Sequence, residues 1–257
     1  MEWYIYLLVV AAGFASGFIN TLAGSGSLIT LPLLIFLGLP ANVANGTNRI
    51  AILLQSLVAT GSFRHQKVLD LRRGFLLAVP AVLGSVIGAQ IAVNLDEETM
   101  RRVIGILMVV MLVVIIVRPK RWLDGRPEML NRRPGWLQLV TFFLIGIYGG
   151  FIQAGVGIFL LAGLVLIAGY DLVRANAVKL LIVSCYTVFA LVVFIANGQV
   201  HWVVGLILAI GSMLGAWVAA RMAVKRGARF VRWLLIAVVA VSAVSLLDLS
   251  DLFARLF

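Results

Sequence analysis

Two short glycine-rich stretches interrupt long apolar runs: Asn20-Thr21-Leu22-Ala23-Gly24-Ser25-Gly26-Ser27 and Gln153-Ala154-Gly155-Val156-Gly157. A helix that restarts after such a break begins with orphan backbone N–H groups and a positive dipole end. Those amides can hold the oxygens of an anion, and glycine lets a ligand approach the backbone. Asn20, Thr21, Ser25 and Ser27 add donors on one side and Gln153 adds one on the other. Gly24, Gly26, Gly155 and Gly157 would shape the cradle between them. Any one of these glycines alone reads more readily as a packing or turn residue. Two clusters at matching places in the chain favour a binding role.

A second set of polar residues follows each break. At ~100° per residue, Asn45, Asn48, Arg49, Gln55 and Ser56 share one helical face, as do Asn176, Lys179, Tyr186 and Thr187. A charge at the centre of a bilayer costs about 2.5–3.5 kcal/mol on insertion scales. Asn45, Asn48 and Arg49 from one half and Asn176 and Lys179 from the other are expected to bind the anion; the alternative for Arg49 and Lys179, which lie near their entry surfaces, is an interfacial anchor whose snorkelling lessens that cost. All ten acidic residues fall in loops or at helix ends. Carriers of cations use buried carboxylates, so the polar centre here suits an anion. A coupling ion, proton or sodium, is compatible with this reading.

No catalytic residue, metal site or cofactor is expected. Cys185 is the only cysteine. Gly24-Ser-Gly-Ser lacks the Gly-Lys-Ser/Thr ending of a phosphate-binding loop. An intramembrane serine hydrolase, one alternative, needs a base within reach of its serine. His65 and His201 lie in loops on opposite sides. An anion channel is the other alternative.

The elements that must position these residues belong in a membrane. The chain is 63% hydrophobic and 12% charged, against roughly 45–50% and 25% in soluble domains. Its 21 Lys+Arg against 10 Asp+Glu sit in short loops. That pattern follows the positive-inside rule and speaks against a nucleic-acid partner. The N-terminal Met-Glu-Trp-Tyr lacks the basic region of a cleavable signal peptide. Straight helices over 3–39 and 136–168 would be ~55 and ~50 Å long, whereas the hydrocarbon core is ~30 Å. Each run is expected to fold back as a hairpin, with arms of roughly 15–18 residues in the first.

The chain also repeats itself. Gly13-x-x-x-Gly17-Phe18-Ile19 matches Gly146-x-x-x-Gly150-Phe151-Ile152, 133 residues on. Asn45/Asn176, Asn48/Lys179, Gln55/Tyr186, Ser56/Thr187, Gly74/Gly205 and Gly84/Gly215 are each 131 apart. Small-xxx-small spacings, Gly84/Gly88 and Gly211/Gly215, let helices approach closely in lipid. The expected division is a first membrane repeat over 1–117, a cytoplasmic linker over 118–134 and a second repeat over 135–257. Placing basic loops 64–73, 118–134 and 221–232 in the cytoplasm makes the first hairpin begin and end outside and the second inside. The fold class is thus an all-α polytopic membrane protein of two inverted structural repeats, each a broken or re-entrant helical hairpin plus three transmembrane helices. Secondary transporters built this way bind near the midplane.

The run from Gly24-Ser-Gly-Ser through Pro32, Gly38-Leu-Pro40 and Ala44-Asn-Gly46-Thr47-Asn48, with the basic loop Arg64-His-Gln-Lys-Val-Leu-Asp70, resembles the sulfite exporter TauE/SafE family. The likeness covers nearly the whole chain. It implies an inner-membrane permease working by alternating access on sulfite or small organosulfonates. Arg49 departs from the family pattern, where an apolar residue is common after Asn48.

Overall fold

The computed structural model describes residues 3–116 and 134–227, and all the elements within them are helices. They are α1 (Trp3–Ala23), α2 (Ser27–Phe36), α3 (Ala41–His65), α4 (Leu71–Val93), α5 (Glu97–Ile116), α6 (Trp136–Phe151), α7 (Val156–Ala162, continued by a π-turn at Gly163–Ile167), α8 (Leu172–Ala196) and α9 (Trp202–Gly227). Most of the expected linker, 118–133, and the final crossing expected at 233–247 lie outside the described residues.

Four of these helices are long and apolar enough to cross a membrane: Tyr4–Ala23, Leu71–Val93, Leu172–Ala196 and Trp202–Gly227. The chain is a multi-pass membrane protein. Local chemistry sets the helix starts. Asp70 caps α4 by accepting from the Arg73 N–H, and Asp171 caps α8 by accepting from Val173 and Arg174. Asp96 accepts from Thr99 ahead of α5, where its negative charge meets the positive helix end. Those hydrogen bonds hold its carboxyl below the ordinary carboxylate range.

Both overlong runs are broken, at 24–26 and at 152–155. The arms are not the matched short pair expected. The first run divides into 21 and 10 residues. The 16-residue α6 is followed by the 12 residues Val156–Ile167. At 1.5 Å per residue α1 is about 31 Å long and α2 about 15 Å. In the first run one arm is long enough to cross and the other returns part-way, because the break falls late; in the second the break falls near the middle and both arms are short.

Helix directions follow from contacts at several heights. Thr47 of α3 accepts from the His201 N–H at one end, and Gln66 reaches the Ala220 carbonyl at the other, so α3 and α9 run parallel. Gly13 and Gly17 lie on Leu208 and Ser212, making α1 parallel to α9. In the same way α4 runs with α6, Gly146 lying on Ala81 and Gly150 on Ser85. It also runs with α8, Gly74 lying on Val178 and Leu181 while Ser85 bonds the Tyr186 carbonyl. The helices α1, α3 and α9 therefore point one way and α4, α6 and α8 the other. The main apolar core draws residues from both halves, including Leu22, Phe63, Leu77, Phe142 and Leu160.

Backbone contact at the glycines corrects one detail of the repeat. A Cβ on Gly84 would lie 2.1 Å from the Phe143 carbonyl oxygen, and one on Gly88 1.9 Å from that of Ile147. The counterparts in the other half are Gly211 against Val10 and Gly215 against Phe14. Gly84 thus corresponds in packing to Gly211, not Gly215. Gly-Ser-x-x-Gly-Ala stands at both places, 84–89 and 211–216. Ten residues separate Gly74 from Gly84, and six separate Gly205 from Gly211. The difference is about one helical turn, which leaves the packing face nearly unchanged.

Candidate functional site

The two breaks touch each other. A Cβ on Gly24 would stand 2.4 Å from the Gly157 carbonyl carbon and 2.5 Å from its Cα. Gly24 and Gly155 adopt left-handed φ of 78° and 70°, which glycine tolerates without penalty. Gln153 does so too, at 66°, a strained value for a residue with a Cβ. Its side chain is held at both ends: Nε2 donates to Thr187 Oγ1 at 3.2 Å, and Oε1 accepts from Arg49 Nη1 at 3.2 Å.

Lys179 and Arg49 are fully buried, at 1% and 0% exposure. That burial removes the interfacial, snorkelling alternative. Each instead faces the C-terminal end of a broken helix from the opposite half. Lys179 Nζ donates to the Asn20 and Thr21 carbonyls, both at 2.9 Å, and to Asn176 Oδ1 at 2.8 Å. Arg49 donates to the Gly149 carbonyl at 3.1 Å, Gly150 at 2.6 Å and Phe151 at 3.3 Å. Its guanidinium also lies 4.5 Å from the Phe194 ring centre, within cation–π range. Desolvating a charge costs several kcal/mol. Here hydrogen bonds to charged donors, at about 1.5–3 kcal/mol each, and attraction to the negative helix ends offset that cost.

The two asparagines behave alike. Asn45 Nδ2 donates to the Phe151 carbonyl at 2.8 Å, and Asn176 Nδ2 to that of Leu22 at 3.4 Å. Asn48 Oδ1 accepts from Thr30 of α2 at 2.7 Å. Ser25 and Ser27 are buried at the first break, and Gly26 is closed over by Ser16 and Asn20. Asn20 and Thr21 were expected as donors, yet their carbonyls serve as acceptors because they end α1. Thr21 Oγ1, the Tyr186 hydroxyl, Arg49 Nε and both polar atoms of the Gln55 side chain are buried with no hydrogen-bond partner.

The expected residues thus gather in two groups. Lys179 and Asn176 stand with Asn20 and Thr21. Arg49 and Asn45 stand with Gln153. The Gly24–Gly157 contact joins them. The sequence reading missed Phe194, Thr30 and the acceptor role of Gly149, Gly150 and Phe151. The paired Gly149-Gly150 just before the break was the available signal. Among the described residues no carboxylate is buried, and no group of His, Cys, Asp or Glu is placed to hold a metal. His65 and His201 are exposed at opposite ends of α3, so no imidazole base stands beside Ser25 or Ser27.

The Gly46-Thr47 pair has a packing role. A Cβ at Gly46 would meet the Gln199 carbonyl oxygen at 2.0 Å. That close approach brings the His201 N–H to Thr47 Oγ1 at 2.8 Å.

Broken helices that meet inside a multi-pass helical protein are a feature of secondary transporters. The profile of the sulfite exporter TauE/SafE family matches residues 9–246, and the chain belongs to that family. It is 29% identical over 239 residues to a probable membrane transporter protein, ORF9, of a Sinorhizobium species, covering 93% of this chain and 90% of that one. It is 28% identical over 229 residues to a probable membrane transporter protein of Haemophilus influenzae, covering 89% of each. It is 29% identical over 224 residues to the probable membrane transporter protein YfcA of Escherichia coli K12, covering 87% and 82%. No solved structure matches the chain.

Proposed function

We propose that this chain is a secondary transporter of a small anion, sulfite or an organosulfonate, working by alternating access in the inner membrane. One observation carries the reading. Lys179 and Arg49 neutralise the negative ends of α1 and α6, while the positive ends of α2 and α7 face the same region with no buried carboxylate among the described residues. The centre is left net positive, as an anion requires. Ser25, Gly26, Ser27, Gly155 and Gly157 supply backbone and hydroxyl donors, and Asn48 an amide. The positive helix ends do the binding, and Lys179, Arg49, Asn45 and Asn176 hold the breaks in shape.

The helix directions support an inverted repeat. Helices α3 and α8 occupy equivalent places, 131 residues apart. They run oppositely, since α3 follows α9 and α8 follows α4. The end marked by Gln66–Ala220 and by Tyr170–Asp70 carries Arg64, Lys67, Arg72, Arg73, Arg174, Arg221, Lys225 and Arg226. By the positive-inside rule that end is cytoplasmic. The halves rock along the seam where Gly24 meets Gly157.

Counterflow in proteoliposomes tests this. Vesicles loaded with sulfite should accumulate labelled sulfite through the purified chain, with organosulfonates competing. Absence of exchange for every sulfur oxyanion offered rejects the assignment.

A further inference from the structure

We propose that the oxygen cluster at the end of α1 is a monovalent-cation site that the chain fills with its own Lys179 ammonium, so that anion movement needs no sodium. In broken-helix carriers the half-helix N-termini face anionic substrate groups, whereas C-terminal carbonyls coordinate the coupling cation. Here the C-terminal oxygens are already taken. Asn20 O, Thr21 O and Asn176 Oδ1 surround Nζ at 2.9, 2.9 and 2.8 Å. An ammonium has three N–H donors, and these three oxygens all lie within hydrogen-bond distance of it.

Second-layer bonds hold the oxygens in place. The Asn20 carbonyl also accepts from the Gly24 N–H at 2.9 Å, an α-helical bond that fixes its direction. Asn176 is tied to the Leu22 carbonyl through its amide nitrogen, so its Oδ1 is turned toward the lysine. Lys179 and Asn176 are almost wholly buried, and among the described residues no Asp or Glu is buried to balance the lysine charge. The negative end of α1 lies against the lysine charge. A free sodium ion would complement the same oxygens. The equivalent position in the other half is Asn48, where no cation stands. Its neighbour Arg49 fills the second helix end instead, with a guanidinium spread over three carbonyls.

Lys179 is therefore a positioning residue. It replaces a diffusible ion whose binding would otherwise gate the closing of the α1–α2 break. The sodium-independence of transport rests on the anion-carrier reading, and the cation site itself does not.

The test uses the purified full chain, wild type and Lys179→Ala, melted in sodium, choline and methylammonium chloride at equal ionic strength. Wild type should melt at the same temperature in all three. Lys179→Ala should melt lower in choline. It should regain a saturable rise of about 3–6 °C with sodium or with methylammonium, the ammonium head without its tether. If the variant does not survive purification in choline, it is purified in methylammonium, and failure there too overturns the proposal. So does a sodium-specific gain in wild type, or a variant indifferent to all three cations. No sulfur oxyanion is present in this assay. A chain that binds no sulfite would sink the transport reading and leave this result standing, and the converse also holds.

Discussion

Gly24→Ala is the sharpest perturbation of the contact between the breaks, and its cost divides into two measurable parts. At φ 78° an alanine sits in the left-handed region, costing about 1–2 kcal/mol. Its Cβ would also stand 2.4 Å from the Gly157 backbone. Backbone cannot swing aside like a flexible side chain, so overpacking adds about 1–3 kcal/mol. The sum is about 2–5 kcal/mol, or roughly 4–20 °C in melting temperature for a chain of this size. Three further alanine variants separate the parts. Gly38→Ala has φ 89° with nothing within 4 Å and reports the backbone part alone. Gly157→Ala carries no positive φ, but its Cβ would lie 2.3 Å from Gly24 Cα, so it reports the overlap alone. Gly61→Ala lies within α3 with open space around it and should gain about 0.5–1 kcal/mol. The assay is thermal unfolding of each purified variant, followed by helical circular dichroism. If Gly24→Ala melts no lower than Gly38→Ala, the breaks do not touch and the reasoning fails.

Other predictions follow from single contacts. Arg49→Leu, the residue type found at the equivalent position Leu180, removes the donors to Gly149, Gly150 and Phe151. It should cost about 1–3 kcal/mol for each carbonyl left unpaired, and Arg49→Lys should recover only part of the melting temperature because an ammonium lacks the planar guanidinium fork. Gln153→Gly relieves the positive φ, worth about 1 kcal/mol, but loses the bonds to Thr187 and Arg49, together about 2–4 kcal/mol; stability should fall by about 1–3 kcal/mol and sulfite exchange should fall with it. Tyr170 donates to Asp70 Oδ2 at 2.9 Å. Burial, then that bond, push its phenol above the ordinary value of about 10. The unfolded chain therefore loses this proton first, so stability should decline as pH rises beyond about 10. Tyr170→Phe should flatten that decline in a melting-temperature series against pH.

Much of the architecture was legible in the sequence, and for physical reasons. Runs too long for a bilayer must break, and glycine pairs show where. The common offset of Asn45/Asn176 and Asn48/Lys179 marked the polar faces, and these residues are buried together. Two features were hidden. The depth of Arg49 and Lys179 depends on carbonyl oxygens supplied from 100 or more residues away, which carry no side-chain signature. The one-turn shift that pairs Gly84 with Gly211 was masked because a glycine also stands at 215. Only the backbone contacts at Val10, Phe14, Phe143 and Ile147 distinguish the two alignments.

Equilibrium binding of labelled sulfite to the purified chain tests the central claim most directly. A net positive meeting point of α2 and α7 predicts saturable binding, displaced by organosulfonates and unaffected by exchanging sodium for choline. Binding of no oxyanion, or displacement of the label by cations alone, would contradict it.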